Sequence, residues 1–453
     1  KRQDVLLAAT PDPVYMGLAG TNSVGDQEII PFFQPDKEAT LEYDIAKLVS
    51  TLADPERTVI GLVAGLSMTG QFDPQTQRMQ QPWVAYQQAQ QLFDIRDLGT
   101  SFEEIPDDIG LLWIVQPKNL SNATQYAIDQ FVMRGGRALI FVDPVAAIDA
   151  TVAEGMPQGM PPMGQASDLP LLLDGWGIDF SPQEVVADAQ LALSINSGFG
   201  RRPTRHYGYL GLTAAQIDDT DIVTMELGSI NAAMAGQLSS AEDSTAELQP
   251  LLTSSPASST MPASRFSFLP DPSTLQDGFA AGGDPLVIAA RIGGTLPSAF
   301  PDGPPSMSVR SEGESSEDEA ADRLGESAEP VNLIVVADVD MLSDPMWVQV
   351  QNFFGQQIAN AFASNGAFVI NALESLAGSP DLIAVRSRGT FSRPFTKVEE
   401  LRVDAEARFR ETEQRLQQEL ADTERRLGEL QSSREDTGSL LLTDEQQAEV
   451  DRF

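Results

Sequence analysis

Apolar positions in the first third of the chain alternate between two rhythms. Leu41, Ile45, Leu48, Val49 and Leu52 recur at helical spacing within 37–52. Residues 58–64 then form a short, almost unbroken apolar run, as expected of a strand buried on both faces. The alternation continues with a helix over 83–93, a short strand at 93–98, a buried strand at 111–115, a helix over 122–133 and a strand at 138–142. Gly135-Gly136 stops the helix, since glycine accepts the left-handed conformation at a helix end. Asp143-Pro144 ends the strand. This order predicts an α/β fold, a parallel-rich sheet with helices on both faces. Before it, apolar stretches split by Gly20-Thr21-Asn22 and Gly25-Asp26 read as an N-terminal β arm or hairpin over 1–35.

The pattern weakens after 150. Residues 151–166 are a Pro/Gly/Met loop. A helical pattern follows at 169–176, with extended patterns at 184–188, 222–225 and 285–292. Residues 237–285, rich in Ser, Pro and Gly, read as long loops. Residues 302–330 form a low-complexity acidic linker, expected to be exposed and mobile, because it cannot bury enough apolar area to offset its ordering entropy. Order resumes with an apolar strand at 331–337 and helical patterns at 347–362 and 365–376. The expected sheet therefore uses 58–64, 111–115, 138–142 and 331–337.

From 397 the rhythm becomes a heptad. Phe409, Leu416, Leu420, Leu427 and Leu430 share one a/d frame, broken only by Glu413 and Thr423. This predicts a helix of ~50 Å in a coiled coil, an interaction stalk. Its stripe needs a partner: its own domain, a returning helix at 443–453, or a second copy. The chain thus divides into a β arm (1–35), a first α/β domain (36–150), a second α/β region with long loops (151–301), the linker (302–330), a completing α/β segment (331–396) and the stalk (397–453).

Charge narrows the function classes. The 453 residues hold 29 Lys+Arg against 66 Asp+Glu, a net charge of −37. Such a surface repels nucleic-acid phosphates and disfavours docking of the body on anionic lipid. With no cysteine, disulfides, thiolate metal sites and cysteine nucleophiles are excluded. No apolar run reaches the ~18–20 residues of a spanning helix. The chain starts at Lys1 rather than Met, and the expectation is a longer protein trimmed at its ends.

Candidate chemistry is sparse. The sole histidine, His206, lies in Arg201-Arg202-Pro203-Thr204-Arg205-His206-Tyr207 and reads as a surface-loop residue. Arg201, Arg202 and Arg205, with His206, form a candidate ligand site for an anion such as a phosphate or a sugar acid. They serve equally as partners for the acidic surface. Asp338, Asp340 and Asp344 follow a buried strand, where α/β sheets gather ligands. They suit Ca²⁺ or Mg²⁺, or else helix capping, with Asp344 as N-cap before Pro345. Asp143 receives the same capping reading. Residues 65–70 do not fit a serine-nucleophile elbow. Gly135-Gly136 lies after a helix, the wrong order for a phosphate loop, and no Walker motif occurs. No catalytic residue and no cofactor are assigned, and any ATP hydrolysis belongs to another chain.

Several stretches together resemble the GldG family, the auxiliary component of an ABC transport system tied to gliding motility. They include 14–18 with 20–23, Ile30-Pro31-Phe32-Phe33, Leu41-Glu42-Tyr43-Asp44, 127–131, Arg134-Gly135-Gly136-Arg137 and Phe141-Val142-Asp143-Pro144. Later come 336–342, Asn365-Gly366, Asn371-Ala372-Leu373, Arg386-Ser387-Arg388 and Arg393-Pro394-Phe395. The resemblance implies a fold like the class I glutamine amidotransferases, without their cysteine. It also implies membrane helices before residue 1 and after residue 453, and a body in the bacterial periplasm at the inner membrane. The implied partners are an ABC ATPase and an integral-membrane permease. The competing expectations are a periplasmic carbohydrate-active or hydrolytic enzyme of related fold, and a soluble ligand-delivery protein.

Overall fold

The computed structural model describes residues 57–149, 165–195, 203–266, 272–305, 323–353 and 356–378, with short breaks at 71, 74–77 and 80. A few positions between 17 and 52 are described as well. The chain divides into two units, 1–390 and 391–453. The second lies wholly outside the described residues, and so does the predicted stalk.

Strands are β1 (Leu18–Thr21), β2 (Gln27–Ile30), β3 (Val59–Ala64), β4 (Phe72–Asp73), β5 (Arg78–Met79), β6 (Asp94–Asp97), β7 (Ile109–Val115) and β8 (Arg137–Phe141). Then come β9 (Ile178–Phe180), β10 (Glu184–Asp188), β11 (Ala192–Ile195), β12 (Thr204–Thr213), β13 (Ser229–Ala233) and β14 (Leu238–Ser240). The last are β15 (Glu247–Thr253), β16 (Ser258–Pro262), β17 (Val287–Gly293), β18 (Leu333–Val336), β19 (Val348–Phe353) and β20 (Gln356–Ala361). Nine of them build the main sheet, in the order β6-β3-β7-β8-β18-β17-β14-β9, with β15 also on β17. The first five strands in that order are parallel, as the four apolar runs predicted, and β17, β15, β14 and β9 continue the sheet antiparallel.

Alternation along these strands feeds two cores. Leu62, Trp113, Leu139 and Ile334 stand in one row and face helices Val84–Leu92 and Asn365–Ala377. Val63, Ile114, Ile140 and Val335 stand in the next row and face helices Asn122–Met133 and Pro170–Gly175. Both faces are therefore covered, the condition under which parallel strands read as continuous apolar runs. Ser121 caps helix Asn122–Met133 through the Thr124 N–H, and Gly135 closes it with φ +93.

Against the end of the sheet stands a second group of strands, β11-β12-β13 and the β10–β16 pair. Its small core includes Val145, Val185, Ala233, Met261 and Phe266. Arg291 of β17 ties the layers together. Its guanidinium makes two bonds of 2.7 and 2.9 Å to Asp221, and others to Asn332 and Ser375.

Three sequence expectations are corrected. Residues 347–362 are not a helix but the β19–β20 hairpin. Their Val-Gln-Val-Gln start alternates with period two, which prevails over the amide residues' tolerance of helix. Residues 237–285 are not long loops, since they supply β14, β15 and β16. Ser- and Thr-rich strands carry little intrinsic signal, and pairing to β17 and β10 decides. The extended stretch expected at 222–225 is a turn, nucleated by Asp221, whose carboxylate and carbonyl accept the N–H groups of Val223, Thr224 and Met225. At the linker's far end, 323–330 packs on the body: Leu324 N–H bonds Gln130 and Ser327 is buried. Residues 306–322 lie outside the described residues.

Gly65 follows β3 where the backbone passes close to the next strand. A Cβ there would run into the Gln116 carbonyl oxygen. We expect Gly65→Ala to cost about 1–3 kcal/mol through a forced backbone shift. Urea unfolding at the wild-type midpoint would show this to be wrong.

Candidate functional site

Parallel strands β8 and β18 run in register, Phe141 beside Val336. Two residues further on, each chain turns out of the sheet at an aspartate, Asp143 and Asp338. Asp340 follows in a 3-10 turn, Asp340–Leu342. This is the C-terminal crevice where open α/β sheets place ligands. The three carboxylates lie within 4.8 Å of one another and are buried.

Every carboxylate oxygen accepts a backbone N–H. Asp143 accepts from Val145 and Val339, both at 2.7 Å. Asp338 accepts from Met341 at 3.1 Å and, across from the second strand group, from Ala233 at 2.7 Å. Asp340 accepts from Ala147 and Ile148, both at 2.8 Å. The cluster therefore joins the turn after β8, the turn after β18 and strand β13. The Asp143 N–H in turn donates to the Ser167 hydroxyl, which itself donates to the Gln116 side-chain oxygen.

Burial first, then neighbouring carboxylates, raises the pKa of each of these acids. Asp143 is raised well above the carboxylate range by burial and by the charges of Asp340 and Asp338. Asp338 is raised in the same way, by burial and by Asp340. Asp340 is pushed up to about 7, burial again leading. Tyr209 is pushed up to about 12 by burial and by the charges of Asp340 and Asp338. Such neighbours titrate as a unit and share protons. Three carboxylates can offer oxygen ligands to a hard cation. Here their oxygens already serve six backbone donors, so the arrangement acts first as a polar clasp across the crevice.

Asp344 does not join this group. It is the first residue of the short helix Asp344–Trp347, which has Ser343 at the N-cap, and its Oδ1 accepts the Val84 N–H at 2.9 Å. It thus caps a different helix, Val84–Leu92, rather than its own. The capping role read for Asp143 proves to be an internal turn plus a bridge to Val339. Sequence spacing missed Asp143 as the third member, because the contact is made across two parallel strands. The signal was present in two equivalent strand ends, each an apolar run followed by Asp.

Only half of the arginine–histidine constellation falls among the described residues. Arg201 and Arg202 lie outside the described residues. Arg205 and His206 are neighbours on strand β12 and point to opposite faces. Arg205 is exposed, and its guanidinium holds the carbonyls of Ala189 and Gln190 at 2.7 and 3.0 Å. His206 is not a surface-loop residue but is buried, with its Nδ1 accepting the Gly208 N–H at 3.2 Å. Its ring packs on Tyr209 and Phe266, and burial pushes its pKa down to about 4. The period-two spacing of His206, Gly208, Leu210 and Leu212 marked it as inward-facing.

A groove of about 1200 Å³ opens at the opposite end of the parallel strands and includes Tyr126, Phe131, Arg134, Arg137 and Arg323 in its lining. All three of these arginines are engaged with main chain, Arg134 through the Gln130 carbonyl at 3.1 Å. Arg137 bonds the carbonyls of Leu376 and Gly378, closing the C-terminus of helix Asn365–Ala377. Arg323 bonds those of Phe300 and Pro301.

Among the described residues no helix is long and apolar enough to cross a membrane. A search of characterised proteins finds no match. A family model described as an ABC-type uncharacterized transport system covers residues 57–372, from the start of β3 into the last described helix. That span holds the whole nine-stranded sheet and the aspartate clasp, and the chain belongs to this family of ABC transport auxiliary components.

Proposed function

We propose that the chain is the non-catalytic, extracytoplasmic accessory subunit of a GldG-type ABC system. The body binds a partner or ligand in the periplasm, and the 397–430 stalk couples it to the permease and ATPase at the inner membrane. The observation that carries this reading is the family match over 57–372. The crevice chemistry supports it. Where an α/β enzyme would expose a nucleophile and base, this chain has a closed clasp of backbone-bonded carboxylates. There is no cysteine in the sequence, and the one histidine is buried with its Nδ1 accepting the Gly208 N–H.

Full-length protein purified from membrane should bring down an ATPase and an integral permease. Isolation as a free soluble protein would end this proposal. The stalk has its own test. Leu420→Glu/Leu427→Glu places charge in the apolar seam, at a cost of several kcal/mol where it is buried. The body should stay folded by circular dichroism, while recovery of the membrane partners falls. Wild-type recovery would remove the stalk from the mechanism.

A further inference from the structure

The β19–β20 hairpin stands apart from every other strand. It forms its own two-stranded sheet, paired Val348↔Ala361 through Phe353↔Gln356. At its base it is anchored by buried Trp347, Val348 and Ala363. Beyond that base, consecutive residues on both strands are exposed: Gln349 and Val350 on one, Ala359, Asn360 and Ala361 on the other. Both ribbon faces therefore meet solvent there, and Phe362 next to them is 58 % exposed. A two-stranded ribbon alone is marginal in water and gains independent stability from a third strand or a packed face. Among the described residues nothing supplies either.

Edges of sheets are ordinarily guarded by charge. The β6 edge of the main sheet follows that rule, since that strand reads Asp-Ile-Arg-Asp. The hairpin breaks it. From Pro345 to Leu373 the chain carries no charged residue, the longest such stretch in a chain of net charge −37. Exposed amides and apolar side chains without charge are the composition of an interface centre.

We propose that this hairpin is the surface through which two copies of the chain associate, by antiparallel addition of its outer edge to the same edge of a second copy. Charge selects this occupant. Two bodies of the same strong negative charge repel wherever carboxylates face one another, and this neutral ribbon is where they can meet without that cost. A basic partner would instead be drawn to the acidic surface. Antiparallel pairing of identical edges is self-complementary about a two-fold axis and continues the hairpin into a four-stranded sheet.

The test is sedimentation equilibrium of the intact 1–453 chain carrying Leu420→Glu/Leu427→Glu, which removes the stalk as a competing source of dimers. A reversible, concentration-dependent dimer is expected. Val350→Glu/Phe362→Glu in the same background should weaken it about tenfold or more, through like charges brought together, with an unchanged circular dichroism spectrum. Because the chain has no cysteine, Asn360→Cys gives a single thiol. It should form a disulfide-linked dimer much faster than Asp107→Cys on the body. A monomer at all concentrations, a dimer indifferent to the two glutamates, or equal cross-linking at both cysteines would each overturn the proposal.

Discussion

Replacing Asp338 by alanine is expected to destabilise the body by about 2–4 kcal/mol, more than any surface change. The side chain joins two parts of the fold, with Oδ2 on the Ala233 N–H of β13 and Oδ1 on the Met341 N–H of the 340–342 turn. Both donors are buried. Removing their acceptor leaves each without a partner, at about 1–3 kcal/mol apiece. Part of this is offset, because the substitution also removes one of three mutually repelling carboxylates. Asp344→Ala is the internal comparison. Asp344 is partly exposed and serves one N–H, that of Val84, so its loss should cost about 1 kcal/mol, in the range of a lost helix cap. Urea denaturation of both variants measures the difference. Equal midpoints would mean that the clasp contributes nothing beyond an ordinary cap.

The same contrast explains what the sequence made legible. The parallel half of the sheet was readable because strands buried on both faces must be apolar throughout, and 58–64, 111–115, 138–142 and 331–337 all meet that demand. Helix Asn122–Met133 was readable to the residue, since Ser121 and Gly135 punctuate it. The antiparallel half was not. β14, β15 and β16 are short, Ser- and Thr-containing strands whose pairing partners lie elsewhere in the chain, and no local rhythm announces them. The hairpin at 348–361 was lost because a helical period was imposed on a segment that alternates. Asp338 and Asp340 were visible as a pair after an apolar strand. Asp143 was visible only as the end of another, and their meeting depends on β8 and β18 being neighbours, a property of topology that composition does not encode. His206 was misplaced because its charged neighbours Arg201, Arg202 and Arg205 suggested a surface, whereas the alternation beginning at His206 carried the better information.

Acidity is expected to act on this fold through two opposed influences, one buried histidine and a cluster of buried acids. His206 has a folded pKa of about 4 against an ordinary 6.5. Its neutral form is favoured in the fold, so its contribution is full above pH 6.5 and lost as pH falls from 6.5 towards 4, about 3 kcal/mol in all. Asp340 works the other way. With a folded pKa of about 7 against 3.8, the native state holds a proton that the unfolded chain has released. Its contribution is full below pH 3.8 and lost as pH rises through 7, about 4 kcal/mol in all. Asp143 and Asp338 are shifted in the same direction as Asp340. Between pH 5 and 6.5 the histidine opposes the acids without matching them, and above 6.5 the acids act alone. Wild-type stability should therefore fall with rising pH, less steeply below pH 6.5 than just above it. His206→Gln removes the opposing group, so its stability should climb more steeply than that of wild type from pH 6.5 down to pH 5. Asp340→Asn should lessen the decline between pH 5 and 7. Relief of repulsion among the chain's many other carboxylates also favours the fold at low pH, but it is common to all three proteins and drops out of the differences. Urea midpoints at half-unit steps from pH 5 to 8 give those differences directly. Parallel curves for wild type and His206→Gln would show that the imidazole is protonated in the fold and that its burial is not what sets its charge.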